Sequence, residues 1–243
     1  MNLDGRVALV TGSARRVGRG IVEALAARGA RVAVHYARSA DEARGVVDGI
    51  RSRGGSAESF AADLGTIPEV QSLAQEVTRR LGPVDVLVNN ASVFYRTPIE
   101  DLGITAWHDN LAVNLTAPYV LAIELGRAMR ARGAGKIVNI GDSDAARPYR
   151  DYIPYAVSKA GIESLTRGLA KALAPEVQVN CVAPGPILMP AAASDDERTR
   201  ILARTPLKRF GDPADIAAAV VFLVENDFIT GATIAVDGGR AIS

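Results

Sequence analysis

Tyr155 and Lys159 lie four residues apart in Tyr155-Ala156-Val157-Ser158-Lys159, inside a helical pattern over 153–174. Positions i and i+4 share one face of a helix, so the spacing brings an ammonium beside a phenol. A tyrosine begins near a pKa of about 10 and must fall by roughly 3 units, about 4 kcal/mol, to act as an acid near neutrality. A neighbouring cation moves it in that direction. Taken alone, the same spacing is common on solvated helix faces.

A second constellation, Thr11-Gly12-Ser13-Ala14-Arg15-Arg16-Val17-Gly18-Arg19-Gly20, follows the apolar run VALV and precedes the helical pattern IVEALAARG. Glycine lets a backbone turn tightly and approach a pyrophosphate, and the helix that follows offers free N–H groups and the positive end of its dipole. Gly12, Arg15, Arg16 and Gly18 are the candidate contacts. Sites selective for an unphosphorylated ribose carry an acid about 20 residues further on. Here the second strand ends in Val34-His35-Tyr36-Ala37-Arg38-Ser39, with no acid before Asp41. Tyr36, Arg38 and Ser39 suit a 2′-phosphate, which a guanidinium grips with charge-assisted bonds, so NADPH is expected over NADH. The alternative is that Arg38 only opens a helix over 41–53 from a solvated loop. Asp63-Leu64 and Asn89-Asn90-Ala91 follow the third and fourth strands, at the carboxyl ends where open α/β sheets bind ligands. Asp63 is either an acceptor for the adenine amino group or a helix N-cap or turn residue.

The elements that must position these residues alternate along all 243 positions. Short β-branched runs at 6–10, 31–36, 57–60, 84–88, 136–140, 177–182 and 232–236 are separated mostly by helical patterns. The strands are apolar on both faces, which suits a parallel sheet covered on either side. The fold class is therefore α/β: one Rossmann-like, doubly wound domain over 1–243 with helices on both faces of the sheet. The stretch from Pro184 to about Thr205 fits poorly. It reads either as a substrate lid over about 185–205 or as an ordinary surface loop with one helix.

Composition excludes other classes. Twenty-eight basic against 27 acidic residues give a charge of +1, without the footprint that binding nucleic acid needs. The lone Cys181 allows no internal disulfide, and no Cys/His spacing suits a metal, so a reduced, cytoplasmic, metal-free protein is expected. No run approaches 18 apolar residues, so no membrane span is expected, and the N-terminus lacks a secretion-leader pattern. His35 and His108 have no partners at ligand or triad spacing. His35, at a strand end, reads as a packing residue, and Cys181 as a small buried hydrophobe.

The Thr11–Gly18 turn, Asn89-Asn90-Ala91, Asn114, Tyr155/Lys159, Pro184-Gly185 and Val236-Asp237-Gly238-Gly239 occur in the order and spacing of the short-chain dehydrogenase/reductases, and the resemblance covers essentially the whole chain. It implies seven parallel strands, nicotinamide cofactor binding, hydride transfer and a homotetramer, with the apolar segment around 228–236 packing between subunits. By position it implies Tyr155 as proton donor, Lys159 on the nicotinamide ribose, Asn114 anchoring a relay water, and Asn90 lining the cofactor cleft beside Ala91, Pro184 and Gly185. Asn114 reads otherwise as a polar kink in a buried helix.

Two departures stand out. Most family members carry glycine where this chain has Arg16, and serine where it has Asp142, thirteen positions before Tyr155. Ser143 comes one residue too late unless the loop slips. With HYARS and Asn90-Ala91-Ser92-Val93-Phe94-Tyr95, these departures resemble the pteridine reductase branch. That branch implies a pterin between the nicotinamide and Phe94, Arg16 reaching both phosphate and pterin, Ser92 bonding the ligand, and Asp142 joining Tyr155 and Lys159 in protonation. A flat heterocycle favours an aromatic face, and reducing a ring C=N requires a proton at nitrogen, which a carboxyl group can supply. Phe94 reads otherwise as core filling. A carboxyl in a cleft beside a phenol should carry a raised pKa. The expected function is NADPH-dependent reduction of a pterin or folate. The alternatives are reduction of carbonyls such as 3-oxoacyl thioesters or ketones, and a non-catalytic NADP(H)-sensing protein.

Overall fold

The computed structural model describes residues 1–188 and 194–243. Strand residues point alternately to the two faces of a sheet, and the first strand shows the consequence. In β1 (Val7–Val10), Val7 and Leu9 enter one apolar layer, while Ala8 and Val10 enter the other. Both layers need a helical cover, and the alternating β/α pattern supplies it.

The strands are β1, β2 (Arg31–Tyr36), β3 (Ser56–Ala61), β4 (Val86–Asn89), β5 (Gly135–Ile140), β6 (Val177–Pro184) and β7 (Thr233–Val236). They form one parallel sheet of seven strands, as expected, and its order is β3-β2-β1-β4-β5-β6-β7. The helices α1 (Arg16–Ala26), α2 (Ala40–Ser52) and α8 (Pro213–Glu225) cover one face. On the other face lie α3 (Ile67–Leu81), α5 (Ala117–Ala131) and α6 (Ile153–Leu173). Ile21, Leu25, Leu73 and Leu121 are fully buried in these layers, each worth about 1.5–3 kcal/mol relative to exposure.

The strand order reverses between β1 and β4, opening a crevice at the carboxyl ends of the strands. Val10, the last residue of β1, pairs with both Val34 and Val88, and β2 and β4 run on past it to Tyr36 and Asn89. The remaining elements are α4 (Ile104–Leu111), which runs through a π-helical turn at Ala112–Thr116 into α5, and α7 (Asp195–Ala203). The expected lid at 185–205 thus contains one helix, and residues 189–193 of it lie outside the described residues. Among the described residues no helix is long and apolar enough to cross a membrane.

Candidate active site

The turn after β1 is built around close backbone approach. Gly12 has φ +63, and a β-carbon there would fall 2.9 Å from Ala91 Cα; one at Gly18 would fall 2.5 Å from Asn90 Nδ2. Asn90 spends its amide on this turn, donating to the Thr11 carbonyl at 2.8 Å and the Gly12 carbonyl at 3.1 Å. Thr11 Oγ1 accepts from the Asn90 and Ala91 N–H groups. The end of β4 is therefore fastened to the glycine turn.

His35 completes the fastening, in a role its sequence position did not reveal. It is buried as expected, but its Nδ1 accepts the Gly12 N–H at 2.9 Å and its Nε2 lies 3.1 Å from the Ala62 carbonyl. These partners select the neutral tautomer with hydrogen on Nε2. Burial pushes the imidazole down to about 4.

Around this turn lies a cleft of about 530 Å³. Gly12, Arg15, Arg16 and Gly18 form its floor beside the N-terminus of α1, and Tyr36, Arg38 and Ser39 form the rim at the end of β2. Asp63, Leu64, Asn90, Ala91 and Ser92 close the opposite side. Ser39 precedes α2 without capping it through its side chain, whereas Arg15 pairs with Glu42 across the rim at 3.5 Å. Asp63 is the turn residue its type allowed: its Oδ1 accepts the Gly65 N–H at 2.8 Å.

Arg16 opens α1 with φ 53°, a left-handed conformation for a residue with a β-carbon. Such a conformation costs roughly 1–2 kcal/mol, and glycine would adopt it without that strain. Its guanidinium donates to the Leu188 carbonyl at 2.8 Å, joining the glycine turn to the segment after β6. Pro184 ends β6 and Gly185 begins that segment; the Pro184 carbonyl accepts the Ser143 N–H at 3.0 Å and the Gly185 N–H donates to the Val236 carbonyl at 3.1 Å.

The loop after β5 does not slip. Asp142 points to Tyr155, whose hydroxyl donates to Asp142 Oδ2 at 2.7 Å, while Ser143 Oγ is buried with no partner among the described residues. Burial holds the Asp142 carboxyl above its ordinary range, as expected, against the opposing pull of its bonds to Tyr155 and the Asp144 N–H.

The expectation for Tyr155 needs correction. Its pKa lies well above 10, because burial and the Asp142 charge both oppose a phenolate. Lys159 does not offset them. Its Nζ is buried, donates to the Ile140 carbonyl at 2.9 Å and lies 5.8 Å from the centre of the Tyr155 ring. Burial pushes that ammonium down. The helical spacing was right; the carboxylate and the desolvation were the missing contributions.

Asn114 lies in the π-helical turn, a distortion often found at functional sites. Its Oδ1 accepts the Val93 N–H at 2.8 Å, and its Nδ2 donates to the Val93 carbonyl and to Ser158 Oγ, each at 3.1 Å. The amide is thus committed to protein partners and fixes the segment between Ser92 and Phe94. Phe94 is not core filling: it is 55% exposed and lies with its centre 4.7 Å from the Tyr155 ring in an edge arrangement.

Several residues here were not singled out from sequence. Tyr152 stacks on Phe94 at 4.5 Å with an interplanar angle of 11°, and Tyr149 meets Tyr152 edge-on at 6.0 Å. Three tyrosines within Tyr149-Arg150-Asp151-Tyr152-Ile153-Pro154-Tyr155 were the available signal. Asp144 and Arg240 pair across 96 positions of chain, and no local pattern announces that contact.

Comparisons with known proteins agree with the geometry on a nicotinamide-cofactor oxidoreductase and divide over its substrate. The profile of a family described as enoyl-(acyl carrier protein) reductase matches residues 12–241. The 3-oxoacyl-[acyl-carrier-protein] reductase FabG of Vibrio cholerae is 36% identical over 244 residues, spanning 98% of each chain. The structure of FolM alternative dihydrofolate reductase 1 from Brucella canis, complexed with NADP, is 36% identical with a TM-score of 0.93, covering 100% of this chain and 96% of that one. A putative NAD(P)-dependent gluconate 5-dehydrogenase from Beutenbergia cavernae with bound NADP is 37% identical with a TM-score of 0.93, covering 100% and 99%.

Proposed function

The chain belongs to the short-chain dehydrogenase/reductase family, and from that premise we propose that it is an NADPH-dependent reductase of a pterin of the dihydropteridine or dihydrofolate type. The observation that carries this reading is the Asp142 carboxyl 2.7 Å from the Tyr155 hydroxyl, with the exposed Phe94 ring against the same phenol. The similarity to an alternative dihydrofolate reductase supports it.

The cleft fits the cofactor. The glycine turn and the start of α1 offer N–H groups and arginine to a pyrophosphate, Arg38 and Ser39 offer a grip for a 2′-phosphate, and Asp63 and Leu64 lie where an adenine would rest. Pro184, Gly185, Tyr155 and Lys159 belong to the nicotinamide end. NADPH, when bound, supplies the hydride.

The chain's own residues manage the proton. Tyr155 keeps its proton near neutrality and serves as a donor, never as a base. Asp142, whose Oδ2 accepts the Tyr155 hydroxyl at 2.7 Å, is the group through which a proton from solvent returns to the phenol or reaches a ring nitrogen. Lys159 fixes the end of β5 beside the pair through Ile140. Phe94 and Ser92 supply a flat face and a hydroxyl for the heterocycle, and Arg16 borders both halves of the site. Positioning two flat rings face to face supplies much of the remaining rate.

A second reading, reduction of a 3-oxoacyl thioester, is favoured by the Vibrio cholerae relative. Against it stands Asp142, thirteen positions before Tyr155, where the carbonyl reductases of the family commonly carry a serine hydroxyl. Absorbance of NADPH followed with dihydrobiopterin, dihydromonapterin, dihydrofolate and an acetoacetyl thioester distinguishes the two. Turnover of a pterin is expected, and turnover of the thioester alone would replace this proposal with the second reading. The proposal extends to a cytoplasmic homotetramer, for which the 51% exposed Phe222 and fully exposed Phe228 offer apolar surface.

A further inference from the structure

We propose that Arg240, close to the C-terminal end of the chain, is a positioning residue that sets the Asp142 acid and the aromatic wall of the substrate pocket at once. Its guanidinium is buried at 6% exposure. Nε donates to Asp144 Oδ2 at 2.6 Å, and Nη2 donates to the Tyr149 hydroxyl at 2.9 Å. From these two contacts, two lines of structure run to the reacting end.

The first runs through Asp144, whose N–H donates to Asp142 Oδ1 at 2.7 Å and so turns Oδ2 toward Tyr155. The second runs through Tyr149, whose hydroxyl donates to Asp144 Oδ2, and whose ring abuts Tyr152. Tyr152 stacks on Phe94, and Phe94 meets Tyr155. Seven residues thereby close a ring, which passes through the main chain at Asp144: Arg240, Asp144, Asp142, Tyr155, Phe94, Tyr152 and Tyr149. The C-terminal segment is held to the same loop by Arg147, which donates to the Arg240 and Ser243 carbonyls.

A buried ion pair adds little net stability, because removing both charges from water offsets their attraction. Arg240 Nη1 is also buried with no partner among the described residues, a further cost. What the planar fork offers is direction: two parallel donors can hold a carboxylate and a phenol in one relative placement, which a lysine ammonium cannot.

The clamp rests on the reading that Asp142, Tyr155 and Phe94 form the reacting end. Its test uses the full chain with Arg240→Met, Arg240→Lys and Tyr149→Phe. The measurements are the NADPH dissociation constant, kcat and KM on dihydrobiopterin and on acetoacetyl-CoA, and chymotryptic cutting at Tyr149 and Tyr152. Arg240→Met should keep NADPH binding within twofold, lower kcat/KM at least tenfold mainly through KM, and quicken cutting at Tyr152; Arg240→Lys should recover less than half of the loss. Tyr149→Phe, which keeps the ion pair and serves if Arg240→Met fails to fold, should lower kcat/KM about threefold without changing NADPH affinity. Unchanged kcat/KM with unchanged cutting would overturn the clamp, as would parallel loss of NADPH binding and turnover. If the wild-type chain reduces neither substrate, the proposed reaction fails, and cutting at Tyr152 alone decides the clamp: faster supports it, unchanged overturns it.

Discussion

The Tyr155 hydroxyl donates to Asp142 Oδ2 at 2.7 Å, and in the reaction we propose it is this pair that handles the proton. Burial and the neighbouring carboxylate both oppose ionisation of the phenol, so in that reaction Tyr155 gives a proton.

The cost of burying Asp142 predicts a trade between stability and rate. Its raised pKa means that the folded chain binds a proton there more tightly than the unfolded one. The resulting stabilisation is present at low pH and is lost as pH rises through the folded-state pKa. Asp142→Asn should therefore raise Tm at neutral pH, by roughly 2–4 °C per kcal/mol recovered, while lowering kcat on a pterin by about 10²–10⁴-fold. Calorimetry and steady-state kinetics on the same preparation check both signs.

Tyr155→Phe removes the hydroxyl but leaves the ring against Phe94. Cofactor titration should give an unchanged NADPH affinity, with turnover reduced by about 10²-fold or more. A near-normal rate would take Tyr155 out of the mechanism.

Arg38 lines the cleft just past the end of β2, in a stretch that carries no acid before Asp41. Arg38→Ala should weaken NADPH by about 1.5–3 kcal/mol, the range for a hydrogen bond to a charged group, and leave NADH nearly unchanged. Fluorescence titration with the two cofactors reads this directly; equal loss for both would refute the phosphate grip.

His35 predicts a pH dependence of folding. The buried imidazole titrates at about 4 instead of 6.5, so between these values the unfolded chain takes up a proton that the folded chain refuses. Stability contributed by this group is whole above about pH 6.5 and falls as pH drops toward 4, by on the order of 3 kcal/mol. Protonation also turns Nδ1 from acceptor to donor and breaks its bond with Gly12. His35→Asn, which can keep an acceptor near that position, should flatten the difference in denaturant midpoints between pH 7 and pH 4.5.

Arg16 separates strain from function. Arg16→Gly relieves the left-handed backbone but adds freedom to the unfolded chain, worth about 0.4–1 kcal/mol. Stability should therefore change by less than about 1 kcal/mol either way, while pterin KM rises. Denaturant titration and kinetics together check it.

The sequence alone determined the sheet, because strands apolar on both faces alternating with helical periods admit essentially one arrangement of layers. It also brought the glycine turn and the residues just after β2, β3 and β4 together, since all of them lie at the carboxyl edge of the sheet, where they line one cleft. The Tyr155/Lys159 spacing was legible for the same local reason. Only the tertiary structure decided which way Asp142 and Ser143 turn, that the Lys159 ammonium serves Ile140 and not the phenol, and that His35 holds Gly12. It alone brought Arg240 onto Asp144 across 96 positions. Propensity and periodicity act over a turn or two of chain, whereas side-chain direction, desolvation and long-range ion pairing depend on what the folded backbone places opposite each group.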